Sequence, residues 1–353
     1  MGLFQKLRRR QPGPPKGVVL LYHRIASGQV DPYELCVSSE HFDQQMAVIA
    51  ERFNPLSINQ FVKHLLDRSL PPRAVAVTFD DGYIDNFETA GPILERYEVD
   101  ATIYMVTGSG GREQEFWWDE LERIFLSPGS LPQHLQLDIG GASSTWDLGA
   151  MADYSSEHAS QHMSWRIPWA DVPADRADVP TLRHKVFREV YLLMQAMPAS
   201  EQQAVLQALR IWAGTERSVR ETHRTLELDR LAESIKGTRI AIGAHTIDHP
   251  ALSSMDYQQQ LEQLSGSRDA LVAQLSSPIT TATYPFGLYS RKTLRAANKC
   301  GFDAAFICGD RAVSYGVNPV EIPRVQVPDI EGDALAHMIE QKLSIQPGAE
   351  VCV

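Results

Sequence analysis

What this chain lacks narrows it first. No apolar run approaches the ~20 residues that cross a bilayer. The opening segment Met1-Gly2-Leu3-Phe4-Gln5-Lys6-Leu7-Arg8-Arg9-Arg10 has no apolar h-region, so it does not read as a secretory signal. Gly2 followed by Lys6 also lacks the Ser or Thr of a myristoylation site. Cysteine is scarce: Cys36, Cys300, Cys308 and Cys352 are scattered without CxxC spacing, which argues against a zinc knuckle or a dithiol pair and fits free thiols in a reducing compartment. Positive charge is in deficit, 33 Lys and Arg against 44 Asp and Glu for a net charge of −11, so the basic face of a nucleic-acid binder is missing. Internal repeats and low-complexity tracts are absent too. Together these absences predict a soluble, cytoplasmic protein. Its basic stub with Leu3, Phe4 and Leu7 suffices for weak peripheral membrane contact and no more.

What is present is enough to bury a full core: 353 residues, 43% of them hydrophobic. After the Pro/Gly-rich segment Gln11 to Gly17, strand and helix signals alternate. Val18 to Tyr22 reads as a strand, and Ser39 to Glu51 and Ser57 to Leu66 as helices. Ala74 to Phe79 reads as a strand, Phe87 to Arg96 as a helix, and Ala101 to Val106 as a third strand. The alternation stops near Gly108-Ser109-Gly110-Gly111. From there to Lys236 an aromatic helix start at Phe116-Trp117-Trp118 leads into a polar stretch, then amphipathic helices at Thr181 to Met197 and Ser200 to Trp212. Strands at Arg239 to Gly243, Thr280 to Tyr284, Ala304 to Cys308 and Ile322 to Val327 resume the pattern, with helices at Asp256 to Leu275, Ser290 to Cys300 and Asp333 to Leu343. Roughly seven βα units predict an α/β fold, barrel-like or open, with a parallel sheet. The expected organisation is a flexible basic tail at 1–17, barrel segments at 18–111 and 237–345, a mainly helical insertion at 112–236, and a short tail at 346–353.

Two motifs carry the chemistry, and each directly follows an apolar strand. The first is Thr78-Phe79-Asp80-Asp81-Gly82-Tyr83, with two adjacent carboxylates that resist joint ionisation unless a cation or a separate task is assigned to each. The second is Gly243-Ala244-His245-Thr246-Ile247-Asp248-His249-Pro250. Pro250 disfavours helical geometry at His249, so this pair belongs to a strand-end loop. His158 and His162 share the four-residue spacing, but no strand delivers them, and they read as solvated surface. If both strands lie in one parallel sheet, the two acids and two histidines meet at its carboxyl edge. One carboxylate and two imidazoles leave positions open on a divalent metal, as hydrolytic zinc sites require, and free the other carboxylate to act as a general base. The same donor set also makes the facial triad of non-haem iron oxygenases, a rival enzyme class.

The pair of motifs resembles the polysaccharide deacetylase family (NodB-homology, carbohydrate esterase family 4). The matching segments run from about Val18 to Gly111 and from Arg239 to Leu343. That resemblance implies a distorted (β/α) barrel that removes N-acyl groups from sugars with the help of a divalent metal, usually zinc. Carried over by motif, it makes Asp80 the base and Asp81, His245 and His249 the metal ligands. The family's R-x-x-P-Y motif stands here as Thr283-Tyr284-Pro285-Phe286-Gly287, without its Arg and similar to the form in biofilm poly-N-acetylglucosamine deacetylases. The implied oxyanion donor is the Phe286 backbone N–H, and Arg324 is the candidate replacement for the missing Arg. The biofilm-related subgroup places its acid after the first strand, which implies His23 in Leu21-Tyr22-His23-Arg24 rather than His337 in Leu335-Ala336-His337. Tyr83, Tyr284 and Trp118 are candidate substrate contacts, Trp118 as a sugar-stacking wall. The expected substrate is an N-acylated sugar on a nucleotide- or lipid-linked precursor of surface glycan. A catalytically retired glycan- or partner-binding protein is the non-enzymatic rival.

Overall fold

Continuous burial marks the barrel strands. Every residue of Ala74–Phe79 is buried, as a parallel strand covered on both faces requires. The computed structural model describes residues 15–27, 30–108, 115–139, 141–167 and 179–344. The basic tail expected at 1–17 lies outside the described residues up to residue 14, as do the 346–353 tail and the Gly110-Gly111 end of the first barrel segment. Seven parallel strands run β1 (Pro15–Tyr22), β2 (Ala74–Phe79), β3 (Ala101–Met105), β4 (Ile240–Ala244), β5 (Thr281–Thr283), β6 (Ala304–Cys308) and β7 (Ile322–Gln326). Each pairs with its sequence neighbours, and β7 pairs back onto β1 through Leu20 opposite Val325, which closes the barrel.

The crossover helices shield the outside. They include α1 (Ser39–Arg52), α2 (Ile58–Leu66), α3 (Ala90–Arg96), and, after the insertion, α7 (Tyr257–Leu275), α8 (Arg291–Cys300) and α9 (Gly332–Ser344). Ser57 and Gln60 form a capping box on α2, and Asp256 and Gln259 do the same on α7, so sequence punctuation sets both starts. The helix expected at Phe87 to Arg96 is broken into Asp85–Glu88 and α3. Pro92 accounts for the break, because its ring would collide with the carbonyl four residues back.

Inside the barrel the alternating side chains build layers. Val19, Ala76, Tyr104, Phe306 and Ile322 form the apolar floor, closed from below by Phe61, Val62 and Leu65 of α2. Above it the interior turns polar, with Thr78, Thr281 and Arg324 all buried. Gly243 stands opposite Tyr104 on the neighbouring strand, and a Cβ there would lie 2.2 Å from the tyrosine ring. The glycine is the space into which that ring packs.

The insertion carries its own core. Its helices α4 (Trp117–Leu126), α5 (Leu182–Gln195) and α6 (Ala199–Ala213) bury Leu121, Phe125, Phe187, Val190 and Leu206 together. Tyr83, Val106 and Trp118 tie that cluster to the barrel mouth. The stretch between α4 and α5 is not only loop. It holds an antiparallel hairpin, His134–Ile139 with Ala142–Asp147, whose first strand buries Leu135 and Leu137 between exposed neighbours. Its second strand, Ala-Ser-Ser-Thr-Trp-Asp, has almost no apolar alternation, so the sequence carried little strand signal there. His158 and His162 also differ from expectation. They are half-buried, stacked on Tyr154 with ring centroids at 5.7 and 6.2 Å, and His158 Nδ1 accepts the Ser155 N–H in a helix cap.

Filling the space at Gly243 tests this packing. Gly243→Ala is expected to overpack the barrel interior against Tyr104 and lower unfolding free energy by about 1–3 kcal/mol, read as an earlier midpoint in urea denaturation.

Candidate metal centre and active site

Strand order alone gathers the candidate residues. β1 and β2 run in register with Tyr22 beside Phe79, so His23 and Asp80 leave neighbouring strands at the same rim. The Asp80 N–H donates to Tyr22 O (3.0 Å), and the His245 N–H donates to Met105 O (2.9 Å), extending the ladder just past the strand ends. Ala244 pairs with both Met105 and Ala282, which sets His245 beside Thr283.

Backbone strain concentrates at this rim. Asp81, Thr246, His249 and Phe286 all adopt the left-handed region, with φ of 73°, 66°, 54° and 57°. Non-glycine residues rarely do so, and such conformations persist where the surroundings over-determine them. The turn at Asp81 and Gly82 reverses the chain so that the two adjacent aspartates face different partners. The His245–His249 loop is pinned by two devices. His249 N–H donates to Thr246 Oγ1 (3.1 Å), and Gln263 of α7 accepts from the N–H groups of Ile247 and Asp248 while donating to Asp248 Oδ2 (2.7 Å).

Asp81, His245 and His249 converge, with one donor atom from each lying within 4.8 Å of the others and all three buried. His249 Nε2 is 3.3 Å and His245 Nε2 3.5 Å from Asp81 Oδ1. That oxygen is buried and accepts no hydrogen bond among the described residues. A buried carboxylate oxygen left in this state is costly, and a cation shared with the two imidazoles is the ordinary remedy. The tautomer agrees. His245 Nδ1 faces Thr283 O (3.2 Å), an acceptor only, so the proton sits on Nδ1 and the Nε2 lone pair turns toward Asp81. Two imidazoles and a carboxylate suit zinc or a similar divalent ion, and the residues present fit it.

Asp80 is held separately. The fully buried Arg324 grips it with both arms, Nη1 to Oδ1 at 2.7 Å and Nη2 to Oδ2 at 2.6 Å. A second Nη1 contact reaches Thr78 Oγ1 (3.3 Å). Burial pushes the Asp80 carboxyl up, but Arg324 and the facing His245 outweigh it and hold the acid below the ordinary carboxylate range. Thr283 joins the two halves. Its Oγ1 lies 2.6 Å from His245 Nδ1 and donates to Asp80 Oδ1 (3.3 Å), linking the metal-ligand histidine to the free carboxylate.

The centre opens into a cavity of about 200 Å³ lined by His23, Asp80, Asp81, Trp118, His245, His249 and Phe286 among others. Burial lowers the pKa of His23, against the pull of Asp81 and Asp80. Its backbone carbonyl is anchored by Asn86 (2.7 Å), and Asp85 accepts from Ile25 N–H (3.0 Å) and Asn86 (2.9 Å). His337 sits elsewhere, exposed on α9 against Gln341. Phe286 occupies a tight turn closed by Gly287 N–H to Tyr284 O and Leu288 N–H to Pro285 O (both 3.0 Å), and its ring packs 4.5 Å from His249.

The three substrate candidates find different places. Trp118 lines the cavity with its ring 4.7 Å from His249. Tyr284 borders the cavity, but its hydroxyl is committed to Val320 O (2.9 Å). Tyr83, read as a substrate contact, is fully buried and outside the cavity lining. There it accepts from Trp118 Nε1 (2.9 Å) and donates to Asp119 (2.8 Å), bracing the tryptophan from behind. Burial raises the Asp119 carboxyl to about 7. Sequence reading passed over Thr283, Asn86, and the cavity residues Tyr33, Arg188 and Tyr191. Only Thr283, beside a motif, carried a signal that could have flagged it.

Comparison with known proteins bears on the family and the fold. A family model described as polysaccharide deacetylase matches residues 67–167 and 200–305, more than half of the chain. Over 144 residues the chain is 28% identical to the putative polysaccharide deacetylase YxkH of Bacillus subtilis, covering 40% of this chain and 50% of that protein. Over 108 residues it is 31% identical to the poly-beta-1,6-N-acetyl-D-glucosamine N-deacetylase of Escherichia coli K12, covering 30% of this chain and 16% of that protein. The matched stretch thus spans half of one relative and a small part of the other. Among solved structures, the Streptococcus pyogenes deacetylase PplD in complex with acetate superposes with a TM-score of 0.56 at 19% identity, covering 92% of this chain and 99% of that one. IcaB from Ammonifex degensii gives 0.53 at 16%, covering 94% and 100%. At these identities the structural likeness is one of fold.

Two substitutions separate the halves of the site. Thr283→Val is expected to lower zinc affinity by about 10–100-fold by removing the nearer of the two Thr283 oxygens that face His245 Nδ1, measured by competition with a chromogenic chelator. Arg324→Met strands a buried carboxylate, and a loss of about 3–5 kcal/mol in urea denaturation is expected.

Proposed function

The chain belongs to the polysaccharide deacetylase family, and from that premise we propose that it is a carbohydrate N-deacetylase, hydrolysing an N-acetyl or similar N-acyl group from a sugar. The observation that carries the proposal is the division of labour between adjacent acids. Asp80 is clamped by Arg324 with its charge retained, and Asp81 faces two imidazoles in the same cavity.

A divalent cation held by Asp81, His245 and His249 would acidify water and polarise the acyl carbonyl. The remaining steps belong to the chain. Asp80 accepts a proton from water as the water oxygen bonds to the amide carbon. The amide oxygen gains the displaced electron pair, and the Phe286 N–H is its proposed hydrogen-bond donor. His23 donates a proton to the sugar nitrogen as the carbon–nitrogen bond breaks, leaving an amine and a carboxylate. Burial suits His23 to that step, because a lowered pKa makes its protonated form the stronger acid. Trp118, braced by Tyr83 and backed by Phe116, borders the cavity and is the proposed aromatic contact for the sugar ring.

The finer reading is that the acyl sugar is a nucleotide- or lipid-linked precursor met in the cytoplasm, with zinc as the metal. In this reading α5 of the insertion, which lines one side of the cavity through Arg188, Tyr191, Leu192 and Gln195, shapes substrate choice.

Asp80→Asn is the direct test. Acyl release from N-acetylhexosamine substrates, assayed with zinc restored, is expected to fall by about 10²–10⁴-fold while zinc binding persists. Activity retained in Asp80→Asn, or none in the wild type across neutral and phosphorylated sugars, would overturn the proposal.

A further inference from the structure

His23 lines the cavity but does not belong to the barrel ladder. It follows Tyr22, the last residue of β1, and the next two residues, Arg24 and Ile25, pair with Cys36 and Val37 in a separate small ribbon. The N–H groups of Arg24 and Ala26 accordingly donate to Leu35 O and Val37 O (both 2.9 Å). Ties from this segment back to the barrel come from two consecutive buried side chains, Asp85 and Asn86. Asn86 Nδ2 donates to His23 O (2.7 Å) and to Asp85 Oδ1 (2.9 Å). A carbonyl and a carboxylate oxygen both accept, so only the NH2 end of the amide fits there. Asn86 Oδ1 is thereby left buried without a hydrogen bond among the described residues, a cost the two accepting groups impose. Asp85 holds the next two residues. Its Oδ1 accepts from Ile25 N–H (3.0 Å) and its Oδ2 from Arg24 Nε (3.3 Å). The Arg24 guanidinium also lies 4.8 Å from the centre of the Tyr83 ring and donates to Thr222 O.

We propose that Asn86 and Asp85 are positioning residues for the deacetylation step, fixing the backbone of the proposed acid His23 against the segment that carries Asp80 and Asp81. Residues 85 and 86 follow the two aspartates in the same short stretch of chain. A displacement of that stretch therefore carries base, metal ligand and acid together. The proton donor must reach the sugar nitrogen while Asp80 works on water at the other side of the same carbon. A misplacement of about 1 Å between such groups costs about 10²-fold in rate. None of the three ties uses the His23 imidazole, so the hold is exerted without occupying a ring nitrogen that the proton transfer needs.

The inference rests on the deacetylase reading, and its test tells the two failures apart. Zinc-loaded wild type, Asn86→Ala, Asp85→Asn, His23→Ala and the double variant His23→Ala/Asn86→Ala are assayed on two probes. One is an N-acetylhexosamine oligosaccharide, and the other is 4-nitrophenyl acetate, whose leaving group departs without a proton. On the amide, Asn86→Ala is expected to lower kcat about 10–100-fold while KM changes less than about threefold. In the His23→Ala background the same substitution is expected to cost nothing further, because a residue that acts through His23 loses its effect once that ring is gone. Ester hydrolysis and zinc affinity should stay near wild type in Asn86→Ala. Asp85→Asn keeps the side-chain volume and an accepting oxygen, and should show the same pattern at smaller size. An unchanged kcat, an equal loss on amide and ester, or a loss that persists in the His23→Ala background overturns the proposal. If Asn86→Ala does not match the wild-type melting temperature, Asp85→Asn alone and combined with His23→Ala carries the same comparison. A wild type that binds zinc and hydrolyses no amide fails the deacetylase reading instead. The hold on His23 is then read by carbethoxylation with diethyl pyrocarbonate and peptide mass mapping. Faster modification of His23 in Asn86→Ala than in wild type upholds it, and an equal rate ends it.

Discussion

The clamp of Arg324 on Asp80 is the interaction on which the rest of the site depends. Two adjacent buried carboxylates cannot both stay charged without separate positive partners. Arg324, rising from β7 into the barrel interior, supplies one by meeting both oxygens of Asp80. Asp81 is then left to the two imidazoles. A guanidinium does this better than an ammonium would, because its planar fork matches the carboxylate and keeps it in one orientation. The left-handed turn at Asp81 is the conformational counterpart, since it takes the chain off the strand end, with Asp80 on Arg324 and Asp81 against the two imidazoles.

Around that clamp the polar groups form one connected system. Thr283 passes a hydrogen bond from the His245 side to Asp80, so the orientation of a metal ligand and that of the proposed base are not independent. Behind the cavity wall, Asp119 holds Tyr83 and Tyr83 holds Trp118, whose ring packs on Phe116 (4.3 Å) and near His249. The insertion is therefore joined to the barrel at the chemistry itself, and its helix α5 forms part of the same cavity. A barrel with these motifs and a different insertion would keep the reaction and lose this wall, which is where substrate choice is expected to reside.

Much of this was legible in the chain before any coordinates. The seven strand signals and their helices became a closed barrel because each apolar run was short, continuous and followed by a helix-period pattern. Asp80, Asp81 and His245 could be nominated because each lies one or two residues past such a strand, while His23 and Phe286 came from the family resemblance. Where the signal was local and weak, reading failed. The hairpin strand Ala142–Asp147 has a single large apolar residue, and Tyr83 looked like a rim residue when it is a buried brace.

The sequence by itself determined where the strands lie along the chain, the two motifs at their ends and the residue types able to hold a cation, because periodicity and strand-end position are properties of neighbouring residues. Tertiary structure brought Arg324, nominated beforehand as the replacement for the missing Arg, onto Asp80 across 244 positions, and it alone decided that Thr283 bridges the two halves and that Tyr33 and Arg188 share a cavity with them. Those contacts arise when the ring of strands closes and the insertion folds over its mouth. No spacing along the chain records which side chains that closure brings within hydrogen-bonding distance.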